Sequence, residues 1–110
     1  MTTRTYRLLV RGRFDQLDED ARARLLAVAD DHDSLQAAFT EEGTFTYSRE
    51  LLSFTFRYLV SVSGEDTDRK AHELAKEKAV AALSEGGYGF RDLRVTGTDM
   101  TDVRIRRRGR

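Results

Sequence analysis

No cysteine occurs anywhere in the chain. That absence removes disulfide frameworks, thiolate metal sites and cysteine nucleophiles together, and it fits a reducing, cytoplasmic compartment. Proline is also missing, and no proline- or serine-rich linker marks a domain boundary. Charge of one sign is lacking too: nineteen basic and nineteen acidic residues cancel, so no long-range field draws the whole molecule to nucleic acid or an anionic membrane. The longest apolar stretches, residues 8–10 and 79–83, fall far short of the ~20 residues that cross a bilayer. The first residues do not combine a basic segment with an apolar signal core. Neither a membrane span nor export is expected.

What is present fits one core, since ~100–150 residues is the usual size for a single domain and the chain has 110. A single domain over residues 1–103 is expected, followed by a basic tail over 104–110. Acid concentrates between Asp15 and Asp33, while Arg104, Arg106, Arg107, Arg108 and Arg110 crowd the end.

Hydrophobic period predicts the elements. A first strand is expected over residues 5–11, where Tyr6, Leu8 and Val10 alternate with Arg7, Leu9 and Arg11; Gly12 ends it. Asp18 caps a helix whose first turn holds Glu19 and Asp20, suited to the positive end of the helix dipole. Ala21, Leu25, Val28, Ala29 and His32 share its inner face. Residues 33–43 read equally as a helical turn or a loop. Phe45 and Tyr47 around Thr46 form a short second strand. In the third, Leu52, Phe54, Phe56, Tyr58, Val60 and Val62 share one parity, against Ser53, Thr55, Arg57, Ser61 and Ser63. Each large side chain in that row contributes about 1.5–3 kcal/mol when buried, which makes this strand the centre of the core. A second helix, capped by Asp66 or Asp68 and lasting to about Glu85, turns Ala71, Leu74, Ala75, Ala79 and Ala82 inward with Leu83 at the edge. Gly86, Gly87 and Gly89 lead into a last strand over residues 90–98.

This β-α-β-β-α-β order predicts a ferredoxin-like α+β domain, a four-stranded antiparallel sheet with both helices on one face. By parity the uncovered face shows Arg7, Leu9, Arg11, Thr55, Arg57 and Leu59. Arginine mixed with leucine suits either a second copy packed sheet to sheet or a ligand with anionic and apolar parts.

The runs Arg11-Gly12-Arg13-Phe14-Asp15, Ala29-Asp30-Asp31-His32-Asp33, Phe54-Thr55-Phe56-Arg57-Tyr58 and Gly87-Tyr88-Gly89-Phe90, with Asp99-Met100 before a basic end, resemble a family of small actinobacterial proteins filed as a domain of unknown function. The resemblance implies an actinomycete source and transfers no catalytic residue.

Candidate site residues follow from side-chain chemistry. Arg7, Arg11 and Arg57, with Arg94 beside them, offer planar forks for carboxylate or phosphate; pairing with acids across a dimer contact is the blander account. Tyr88 lies in a glycine-rich bend and could line a pocket mouth. His32 is the candidate for a catalytic acid or base, set against a half-buried histidine at a helix edge. Asp30, Asp31, His32 and Asp33 diverge by ~100° per residue on a helix, so no metal site is expected, and no cofactor. Gly86-Gly87-Tyr88-Gly89 follows a helix and lacks a lysine, so it is not a phosphate loop. RNA recognition on a sheet needs exposed aromatic rings. Those here share parity with the core, so nucleic acid is not expected as a partner.

The expectation is therefore a homodimeric binding or accessory protein holding a small anionic or aromatic ligand at the sheet face. The alternative is a cofactor-independent enzyme of the dimeric α/β-barrel kind, a cyclase or monooxygenase acting on an aromatic metabolite.

Overall fold

The computed structural model describes residues 3–29 and 38–100. The chain runs β1 (Thr3–Phe14), α1 (Glu19–Ala27), β2 (Thr44–Tyr47), β3 (Ser53–Ser63), α2 (Thr67–Gly86) and β4 (Phe90–Asp99). The strands lie in the order β2-β3-β1-β4, antiparallel at every contact. This is the ferredoxin-like α+β arrangement that the period of the sequence predicts. The proposed tail and His32 lie outside the described residues.

Alternation along β3 decides which face is the core. Phe54, Phe56, Tyr58 and Val60 are buried beneath the helices, while Thr55, Arg57 and Leu59 stay partly accessible on the other face. β1 pairs with β3 from Thr3 opposite Ser63 to Arg13 opposite Ser53, so Tyr6, Leu8 and Val10 join the same buried layer. α2 closes it with Ala71, Ala75, Ala79 and Leu83, all fully buried. A four-residue spacing drifts by only ~40° per step around a helix. That stripe therefore runs unbroken to Leu83, placing it inside rather than at the edge, and leaves Leu74 and Ala82 half-buried. Three small side chains in the stripe let the helix backbone approach the sheet closely.

Asp18 caps α1 as predicted, its carboxylate accepting from the Ala21 amide at 2.7 Å. Ala21 and Leu25 face the core, but Val28 is 42% exposed. The helix ends at Ala27 and Val28 leaves helical dihedrals (φ −119°, ψ 19°), so helical period no longer directs its side chain. Asp66 precedes α2 in the left-handed region, and its carboxylate caps no amide; it pairs instead with Arg69 at 3.3 Å.

Two further expectations are corrected. Leu52, placed in the core row by parity, is 59% exposed, and its neighbour Leu51 is buried instead. Leu51 takes a left-handed φ of 56° in a turn closed by its amide to the Ser48 carbonyl, and that twist exchanges the two leucines. Nor does Gly12 end the first strand. β1 continues to Phe14, whose ring meets Phe45, Tyr47, Phe54 and Tyr88 at centroid distances of 5.0–6.4 Å.

Candidate functional site

The face of the sheet opposite the helices takes alternate residues from each strand. β1 supplies Arg7, Leu9, Arg11 and Arg13. Across β1, Arg7 faces Thr98, Leu9 faces Thr96, Arg11 faces Arg94 and Arg13 faces Arg91. A bulge between the last two pairs, where Asp92 adopts φ 55°, resets the parity of β4. On the other side Leu9 faces Arg57 and Arg7 faces Leu59. Six guanidinium groups thus share one face, with two Arg–Arg pairs directly opposed.

Directly opposed side chains lie ~4.5–5.5 Å apart at Cβ, and like charges there are destabilising. Among the described residues none of these arginines forms an ion pair, and Asp92 pairs with none of them. The ion pair at the edge of the sheet, Arg4 to Asp99 at 2.7 Å, belongs to the opposite face, because its residues sit level with Val62 and Tyr6.

Two of the six are held in place. Arg57 donates from Nη1 to Thr46 Oγ1 at 2.9 Å. Thr46 is only 4% exposed and its hydroxyl donates to the Thr55 carbonyl at 3.3 Å, so this guanidinium stands on a fixed support. Arg7 lies over the Phe39 ring, 5.4 Å from its centroid, within reach of a cation–π attraction. Phe39 reaches the face because its neighbour Thr40 bridges to β3 in parallel, its carbonyl accepting from the Leu59 amide at 2.8 Å. Around this pair Arg7, Leu9, Phe39, Thr96, Thr98 and Met100 line an open cavity of about 410 Å³.

The arrangement offers charge, hydroxyls and apolar surface. Arg7, Arg11, Arg57 and Arg94, singled out from the sequence, come together here. Tyr88 does not join them: its ring lies on the helix side, against Phe14 and Phe45 and under the Arg24 guanidinium at 5.6 Å. Phe90 pairs with Phe14 and directs the bend toward the core. The other tyrosines are structural. Tyr47 donates to the Leu25 carbonyl at 2.6 Å, Tyr6 Oη meets Thr67 Oγ1 at 2.9 Å, and burial pushes the Tyr58 phenol up to about 12. His72 donates from Nδ1 to the Asp68 carbonyl one helical turn back, at 2.8 Å. Among the described residues no group of His, Asp or Glu could hold a metal ion. Asp30, Asp31, His32 and Asp33 are outside them.

Three residues of the face are not signalled by the pattern of the chain. Arg13 has the parity of Arg11 but lies beyond Gly12, where the strand is expected to end and in fact continues to Phe14. Arg91 has the wrong parity until the bulge is known. Phe39 lies in residues 33–43, whose pattern suits a helical turn and a loop equally.

A second cavity, of about 540 Å³, lies between α2 and the edge of β3. Lys78 is part of its wall, donating to the Glu41 carbonyl at 2.9 Å with its ammonium 5.8 Å from the Tyr58 ring centroid.

Among the described residues no helix is long and apolar enough to cross a membrane. Comparison with curated proteins and with solved structures returned no match. One family model matches, and it covers residues 1–110. Two of the runs quoted from the sequence adjoin in space: Phe14 pairs with Phe90, and the Asp15 amide donates to the Gly89 carbonyl at 2.9 Å. They bracket the cationic end of the face, and the chain that carries them belongs to the Family of unknown function (DUF6204).

Proposed function

We propose that this protein is a binding or accessory protein whose uncovered sheet face holds a small anion carrying an apolar or aromatic body. One observation carries the reading: Arg11 opposes Arg94 and Arg13 opposes Arg91, and among the described residues none of the four is in an ion pair. Cross-strand repulsion of this kind is retained at a cost to the fold, and an oxyanion accepting charge-assisted hydrogen bonds of about 1.5–3 kcal/mol each would more than offset it. The apolar body would rest on Leu9 and Leu59 and reach the cavity beside Phe39. Nothing on the face favours the enzyme alternative over binding. The homodimer expected from the sequence belongs to this proposal only conditionally, because two such faces repel one another.

The test is calorimetric titration with 1-naphthyl phosphate at low ionic strength. Arg11→Ala and Arg94→Ala should each weaken binding at least about tenfold, the loss of one charge-assisted bond. Arg69→Ala, an exposed residue of α2, should leave it unchanged. Absence of binding, or equal binding by all three variants, would overturn the reading.

A further inference from the structure

The anion site lacks a wall. Ligand sites are usually concave and cover most of their ligand, whereas among the described residues only Phe39 crosses this sheet surface, and Leu9, Leu59 and Phe39 itself stay half-buried. Four strands, of which β2 has only four residues, give at ~3.4 Å per residue and ~4.8 Å per strand a face of roughly 600 Å². That approaches the ~800 Å² per partner of a stable interface. A second copy could therefore supply the wall.

Charge forbids it in the empty state. A two-fold contact presents the same patch from both sides, so each copy would meet the other's guanidinium groups, and no carboxylate in register on either face could answer them. An oxyanion placed between the copies reverses the sign of this interaction, because guanidinium forks from both faces donate to the same oxygens.

We infer that the sheet face is an anion-gated dimer interface: the chain is monomeric when the face is empty and pairs face to face when a multivalent oxyanion is enclosed, each copy completing the other's site. The inference rests on the anion-binding reading and adds that the occupant of the open side is a second copy of this chain.

Sedimentation velocity of the full chain in dilute chloride buffer, without and with pyrophosphate, tests it, alongside calorimetry with the same probe. The expected result is monomer in chloride and twice that mass with pyrophosphate, at one pyrophosphate or fewer per chain. The charge-removing double variant Arg11→Gln with Arg94→Gln, checked for its fold by circular dichroism, should bind pyrophosphate at least tenfold more weakly. Relieved of repulsion, it should also dimerise in chloride at concentrations where the parent chain does not. Dimer in chloride alone, as tight as with pyrophosphate, overturns the gate. So does a double variant that stays monomeric throughout. Pyrophosphate bound with no change in mass removes the dimer and leaves the anion site standing. Failure of the parent chain to bind either pyrophosphate or naphthyl phosphate removes the underlying reading itself.

Discussion

Gly12 takes part in no turn; it is buried near the C-terminal end of β1, where an added Cβ would stand 2.6 Å from the tip of the Phe54 ring and 3.0 Å from Leu93 Cδ1. At Gly89 the obstacle is a backbone oxygen, that of Asp15, 2.2 Å from the added atom. A ring can shift and a paired strand cannot. Gly12→Ala should therefore cost about 1–3 kcal/mol, as overpacking usually does, and Gly89→Ala more, both read as lowered midpoints in urea denaturation. Leu51 and Leu52 illustrate the limit of parity: two adjacent leucines are indistinguishable by pattern, and the left-handed dihedral that selects Leu51 comes from a turn. Tyr58 makes a pH-dependent contribution. Its phenol is raised to about 12 by burial, above the ~10 of an unfolded chain. The unfolded state thus loses this proton first as pH rises. The stabilisation is complete below pH ~10 and is lost between there and about 12, amounting to at most about 3 kcal/mol. Denaturation at pH 9 and pH 11.5 should show a smaller loss for Tyr58→Phe than for the parent chain; equal losses would show that the phenol does not contribute.

Among the elements, β3 and α2 were the most legible. Each carries a long uninterrupted period, with Phe54, Phe56, Tyr58 and Val60 on one and Ala71, Ala75 and Ala79 on the other, and burial then acts on many residues in the same direction. The cap of α1 was equally clear, because Asp18 at that position has a specific donor to satisfy. Asp18→Ala should lower stability by about 1 kcal/mol and Asp18→Asn by much less, measured by urea denaturation. β4 was legible as a strand but not in its facing. Strict alternation from Arg94 would have put Asp92 opposite Arg13, supplying the neutralising carboxylate; the bulge brings Arg91 there instead. A bulge depends on the pairing of two strands and leaves little trace in either one. Asp92 holds φ 55° at that point, so Asp92→Gly should keep the register and raise stability by up to about 1 kcal/mol, a gain visible in the thermal midpoint.

At the scale of the whole molecule, a net charge of zero conceals segregation, with unpaired arginines gathered on the sheet face and the described ion pairs lying elsewhere. Screening should therefore act on the face even though the molecule has no net field: raising potassium chloride from about 20 to about 300 mM shortens the Debye length from ~20 Å to ~6 Å and should weaken naphthyl phosphate binding by about tenfold in calorimetry. Binding insensitive to salt would point to the apolar body alone. The residues by themselves determined the order of the elements, the parity of the central strands and hence which side carries Arg7, Arg11 and Arg57, because periods of two and of 3.6 are local properties of the chain. Only the tertiary structure decided that Arg13 and Arg91 complete the cluster, that Phe39 reaches Arg7 and that Tyr88 packs on the other side. Those outcomes depend on strand register, on a bulge and on a loop crossing an edge, and each is settled by contacts between residues far apart in sequence.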